Sequence, residues 1–208
     1  MRIDSVASQP DMAGRYLVRF ADGSKMRLYR QTVQDFGLYS GMELSEETLN
    51  NLREASGRMS AKMRSVRIVS ASGVSQNDLQ RRLIQKGEDP VHAKEAVEWM
   101  TEMQLLDDRK TAEQIVHSCI SRGYGVNRAK QALFEKRIPK EYWQEALEGY
   151  PDQTDRIVSF FQTRLGEQWD DRKLRRTIEA AQRRGHLYSE IRAALEIIRA
   201  DMDEFPEE

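Results

Sequence analysis

One pattern of small and apolar residues is written three times along the chain, and it limits the fold more than any other feature. Leu79, Leu83, Gly87 and Ala96 are separated by 4, 4 and 9 residues; Ala129, Leu133, Arg137 and Ala146 keep those spacings, as do Thr177, Ala181, Gly185 and Ala194. The copies are offset by 50 and 48 residues. A period of this length marks a supersecondary unit that cannot bury its apolar face alone and buries it against its neighbours. From Ser45 onward the helical period dominates, and Pro90, Pro139 and Pro151 fall where helices should begin or end. Ser75-Gln-Asn-Asp78 reads as a capping box before Leu79 and Leu83, and Gly87 after Lys86 as a helix stop. Asp107 or Asp108 caps a helix running to Arg122 and closed by Gly123; Asp170 or Asp171 caps one ending at Gly185. The expected fold is mostly α: three tandem three-helix repeats, each of about three short helices, in an elongated curved array. The repeats are expected at 46–104, 105–150 and 151–200, with an acidic tail over 201–208.

Residues 1–45 read differently, as a small N-terminal β hairpin or three-strand appendage. Arg15-Tyr-Leu-Val-Arg-Phe20 and Lys25-Met-Arg-Leu-Tyr29 are strand-like and flank Ala21-Asp22-Gly23-Ser24, whose Asp-Gly pair is a strong hairpin signal. Ile3 to Val6 adds a third strand. Gly37 and Gly41 then mark a loop or single turn before Ser45, a plausible N-cap. Three strands alone are marginal, so the appendage should dock on the helices.

Composition removes several functional classes. Hydrophobic residues make up 39% and charged residues 32%, too apolar for a disordered chain and suited to helices that each show one face to water. The formal net charge of −1 means that any affinity for a polyanion comes from local patches. Cys119 is the single cysteine, which excludes an intramolecular disulfide and fits a reducing compartment. No apolar run approaches the ~18 residues of a membrane span, and Met1-Arg2-Ile3-Asp4-Ser5 opens no signal peptide. A cytoplasmic monomer is expected.

The search for chemistry finds no catalytic constellation. His92, His117 and His186 stand one to a repeat, none spaced with another His or Cys as a metal pair, and read as surface or half-buried imidazoles. Cys119, beside Ile115, Val116 and Ile120, reads as a packed small hydrophobe. Gly123-Tyr124-Gly125 lacks the Gly-Lys-Ser/Thr of a phosphate loop and reads as a helix stop followed by a helix start. Trp99, Trp143 and Trp169 read as core anchors. No catalytic residue, metal ligand or cofactor is expected.

The cations are more informative. With Leu174 as origin, Ile178, Ala181 and Gly185 lie within about 40° on a helical wheel, whereas Arg172, Arg176 and Arg183 cluster at about 180°. Lys173, Arg175 and Arg184 flank that stripe. Asp171 to Gly185 carries a net +4 and Glu196 to Glu208 a net −5, so near-neutrality hides a strong asymmetry. The corresponding helix of the second unit carries Arg128, Lys130, Lys136 and Arg137, and that of the first Arg81, Arg82 and Lys86. Cations on all three units suggest a continuous surface facing a polyanion. Arg172, Arg176, Arg183, Lys173, Arg175, Arg128, Lys130, Arg81 and Arg82 are the expected contacts.

Ser75 to Leu83, Gln85-Lys86-Gly87, Leu105-Leu106-Asp107-Asp108, Ala112, Arg122-Gly123-Tyr124-Gly125, and Ala132-Leu133 with Lys136 and Ile138 together resemble the RecX family, bacterial regulators of the RecA recombinase. The resemblance covers about Met63 to Ala200 and is weakest in the third repeat. Arg137 stands where that family commonly has Gly, so the helix end needs a non-Gly residue in the left-handed region or a different stop; Thr111 stands where a Tyr is common. The resemblance implies a non-enzymatic regulator in homologous recombination, DNA repair and the SOS response. It would lie in the groove of the RecA–single-stranded-DNA filament and inhibit strand exchange and ATP hydrolysis by opposing filament growth. The acidic tail would shield the cationic surface or mimic DNA. The alternative is a helical-repeat protein that binds single-stranded nucleic acid directly, without RecA; it predicts tight, steeply salt-dependent binding to naked strands.

Overall fold

The computed structural model describes residues 1–166 and 169–204, with side chains as far as residue 200. Three strands and ten helices are present among the described residues, and the chain divides into two compact units, Met1–Leu106 and Asp107–Glu208.

The first unit begins with an antiparallel sheet of β1 (Ile3–Val6), β2 (Arg15–Phe20) and β3 (Lys25–Tyr29), in that order. Asp22 accepts from the Ser24 amide at 2.9 Å and Gly23 takes φ +82°, so the Asp-Gly turn forms where its chemistry places it. β3 runs directly into α1 (Arg30–Asp35), a short helix with no side-chain cap and no forewarning in the sequence. Ile3, Val18, Phe20 and Leu28 pack one face of the sheet against Leu38, Leu44, Leu49 and Leu52. Leu49 and Leu52 lie on α2 (Glu46–Ala71), so the appendage docks on a helix as a three-stranded sheet must.

α2 departs from the expected short helices: it runs 26 residues from the Ser45 cap. Its N-terminal half serves the sheet. Its C-terminal half, through Ala61 and Ile68, joins the core formed with α3 (Gln76–Gln85) and α4 (Pro90–Glu102) by Leu79, Leu83, Ala96 and Met100. Gly57 lies inside α2 because a Cβ there would overlap the His92 ring, which is buried and bonds Glu54 at 3.0 Å.

The second unit holds two groups of three helices. α5 (Asp108–Ser121), α6 (Val126–Glu135) and α7 (Trp143–Leu147), the last preceded by a 3₁₀ turn at Lys140–Tyr142, close over Ala112, Val116, Leu133 and Ile138. α8 (Thr154–Leu165), α9 (Asp171–Arg183) and α10 (Tyr188–Glu204) close over Ile157, Phe161, Leu165, Leu174, Ala181 and Ile191. α10 continues through residues expected in the acidic tail as far as Glu204; residues 205–208 lie outside the described part.

These two groups are clasped backbone to backbone. The Gly125 amide donates to the Arg184 carbonyl at 2.9 Å and the Asn127 amide to the Gly185 carbonyl at 3.1 Å. Gly125 is the N-cap of α6 and has no side chain to satisfy the helix's first amides, so carbonyls from the end of α9 do so. The negative end of one helix dipole thereby meets the positive end of another. The approach excludes side chains: a Cβ on Gly125 would overlap Gly185, and one on Gly185 would overlap the backbone of Arg128.

Candidate interface

α9 is held by its apolar face. Asp170 caps it, accepting from the Lys173 amide at 2.6 Å, while Leu174, Thr177, Ala180 and Ala181 are buried against α8 and α10. The opposite face is left to charge. Arg172, Lys173, Arg175, Arg176 and Arg183 are all exposed. Arg183 lies 3.8 Å from Glu179 with both side chains largely in water, a pairing of little energetic weight. Lys173 donates to the Leu165 carbonyl at 2.6 Å and so helps to tie α9 to the end of α8. Arg172, Arg175 and Arg176 make no ion pair among the described residues. Arg172, Lys173 and Arg176 line a cleft of about 540 Å³ with Asp170 and the half-buried Trp169.

Arg184, which flanks this stripe in sequence, turns away from it. Its guanidinium stacks on Tyr124 and Phe160, with centroid distances of 5.4 and 5.1 Å, and donates to the Arg122 carbonyl. It therefore reinforces the clasp between the two helix groups.

The other helices contribute less charge than their composition suggests. On α6, Lys130 is exposed but Arg128 pairs with Glu135 at 3.1 Å. On α3, Arg81 and Arg82 both reach Asp78 at 2.8 Å. The position filled by Arg128 and Arg176 in the later copies is Asp78 in the first. The sequence treats Asp78 as part of a cap; it is also a buried carboxylate neutralising two cations. Burial alone would raise its pKa, but hydrogen bonds and charges from Arg81 and Arg82 outweigh that and hold it below the usual range. A lowered folded-state pKa stabilises the protein above the unfolded value, and this contribution fades as pH falls through the folded value. Asp78→Asn is therefore expected to cost about 1–2 kcal/mol at neutral pH. The loss should shrink as pH drops below about 4, as urea titrations at pH 7 and pH 3 will measure.

The histidines and cysteine fall into structural places. His117 is exposed, whereas His92 and His186 are buried, deeper than expected. Burial lowers the His186 pKa and raises that of the Cys119 thiol, leaving the thiol a poor nucleophile. Tyr150 is pushed up to about 12 by burial, and its hydroxyl donates to the Tyr124 carbonyl at 2.7 Å. Asp107 caps α5 while Asp108 is buried within it. Among the described residues no group of three or more His, Cys, Asp or Glu could hold a metal ion. No helix among them is long and apolar enough to cross a membrane.

Residues 107–147, which span α5 to α7, match the family model described as RecX, second three-helix domain. Relatives named Regulatory protein RecX share 25% identity over 121 residues in Clostridioides difficile (strain 630) and 28% over 132 residues in Halorhodospira halophila. These matches support the RecX family for this chain. The first alignment covers 58% of this chain and 57% of that protein; the second covers 62% and 82%. Thus the chain spans little more than half of the Clostridioides difficile RecX. The fold agrees with a crystal structure of regulatory protein RecX at a TM-score of 0.65 and 18% identity, covering 94% of this chain and 98% of that one. It also agrees with RecX from Lactobacillus salivarius at a TM-score of 0.60 and 16% identity, covering 70% and 99%.

Against the common RecX pattern, Arg137 takes the first of the two options open to it: φ is +55°, left-handed backbone carried by a non-Gly residue. Gly87 and Gly185 hold the same conformation at the matching places. Sequence reasoning did not single out Phe134, which is 71% exposed beside Arg137 on a helix whose neighbouring Leu133 is fully buried.

Proposed function

We propose that this chain is a non-enzymatic regulator that binds the RecA–single-stranded-DNA filament in its groove and inhibits recombination and ATP hydrolysis by opposing filament growth. The observation that carries the reading is the exposed face of α9, where Arg172, Arg175 and Arg176 have no ion-pair partner among the described residues and stand opposite a buried apolar stripe. Exposed cations that no described carboxylate engages are suited to phosphates. Similarity to relatives named regulatory proteins supports the regulatory role. Arg172, Arg175 and Arg176 are the principal contacts, with Lys173, Arg183 and Lys130 beside them. Arg128, Arg81 and Arg82 rank lower because carboxylates of this chain already engage them.

The cleft that places Trp169 among Arg172, Lys173 and Arg176 favours a second reading, direct binding of single-stranded nucleic acid by stacking and phosphate contact. Fluorescence anisotropy on a labelled oligonucleotide, with and without RecA, separates the two. The filament reading predicts weak binding to the naked strand and at least about tenfold tighter binding once RecA coats it. Equal affinity for both, falling steeply with salt, would favour the direct binder.

A further inference from the structure

We propose that the outer face of the N-terminal sheet is a contact surface for naked single-stranded DNA. The sheet belongs to the first unit, and the assignment rests on the filament reading only for the weakness of the contact. The register lays the face out residue by residue. Arg15 pairs with Tyr29, Leu17 with Arg27 and Arg19 with Lys25 across β2 and β3. Alternation puts these six on one side, because Val18, Phe20 and Leu28 fill the other side against the core. Ser5 of β1, opposite Arg19, joins them. Four of these seven residues are cationic and none is acidic. Arg67 of α2 brings a further cation to the Tyr29 hydroxyl, to which it donates, and Arg30 stands exposed where β3 ends.

Charge decides the chemistry of the occupant. Arg15 is engaged by Asp11 at 2.9 Å, but Arg19, Lys25 and Arg27 are exposed and make no ion pair among the described residues. Asp22, in the hairpin turn beside them, accepts from the Ser24 amide and hydroxyl. Arg19 and Lys25 stand directly opposite each other across the strands, and like charges so placed weaken a sheet. Protection of a sheet edge accounts for cations on β3, which is an edge strand, but not for Arg19 on the central strand β2. A polyanion lying across that pair relieves the repulsion. Lys25 and Arg27 are two residues apart, about 7 Å along β3, so they can engage successive groups of an extended backbone. Leu17 and Tyr29, both half-buried, lie among these cations and offer bases an apolar surface. A duplex keeps its bases stacked inside and cannot use that surface, whereas a single strand can.

The test uses the full chain and the triple variant Arg19→Thr, Lys25→Thr and Arg27→Thr, since threonine suits an exposed strand position. The readout is fluorescence anisotropy of a fluorescein-labelled oligothymidylate at low salt. The wild type should bind this naked strand, and the variant should bind it at least about tenfold more weakly. Three lost phosphate contacts should also flatten the slope of log affinity against log salt by about 2. The urea midpoint of the variant should not fall, because a cross-strand repulsion has been removed. Lost binding with a lowered midpoint would assign these cations to the fold and overturn the proposal. A wild type that binds no naked strand, or a variant that binds it equally well, overturns it too. So does a duplex of the same length bound as tightly, or polyglutamate that competes as well as unlabelled strand. The filament reading fails on a different comparison, equal affinity of the wild type for naked and RecA-coated strand, so the two failures are distinguishable.

Discussion

Gly185→Ala is expected to destabilise the second unit by about 4 kcal/mol or more, a large part of the 5–15 kcal/mol that holds an ordinary domain together. Two independent costs combine. The residue sits at φ +84°, where a side chain is strained by about 1–2 kcal/mol. The added Cβ would also overlap the backbone of Arg128, which cannot swing aside as a flexible side chain can. Displacing it breaks the bonds from Gly125 to Arg184 and from Asn127 to Gly185, leaving the first amides of α6 uncapped. Gly149→Ala is the control, with φ +67° and open space around the new methyl, and should show the strain alone. Urea denaturation gives the energies, and hydrogen exchange at the Gly125 and Asn127 amides gives the location. If Gly185→Ala loses no more than Gly149→Ala, the clasp does not hold these helices together.

The second large effect is functional. Converting Arg172, Arg175 and Arg176 together to Glu should weaken action on the RecA-coated strand by at least about 100-fold, since three contacts to a polyanion become three repulsions. Stability should change by no more than about 0.5 kcal/mol per site, because all three side chains are exposed and make no ion pair among the described residues. The same reversal of Arg81 and Arg82 should do the opposite. It sets two new carboxylates beside the buried Asp78 and damages the fold before it reveals anything about binding. Inhibition by the α9 variant that matches the wild type would remove this face from the mechanism.

Local chemistry made much of the fold legible. Ser75, Asp107 and Asp170 cap helices because each side chain needs only its own next turn, and the Asp-Gly hairpin is equally local. What stayed hidden depends on partners remote in sequence. Gly125 and Gly185 each read as ordinary helix punctuation, and only the approach of one backbone to the other makes both indispensable. Gly57 looks like a flaw in a helix until His92 fills the space beside it. The 26-residue length of α2 follows from serving both a sheet and a helical core, which no pattern within α2 announces. The candidate site was half legible. The wheel of α9 placed its cations opposite the buried face, but counting charges could not tell Arg172, which makes no ion pair among the described residues, from Arg81 and Arg82, which Asp78 has neutralised. Nor could it show that Arg184 stacks into the clasp.

The most direct test of the central claim is ATP hydrolysis by the cognate RecA on single-stranded DNA, followed while this protein is added at well below one molecule per RecA protomer. Opposition to filament growth predicts strong inhibition at such ratios, since one bound molecule affects many protomers, and relief of that inhibition in the Arg172, Arg175 and Arg176 reversal. Hydrolysis that stays unchanged until the protein saturates the DNA itself would contradict the account and assign the chain to direct strand binding.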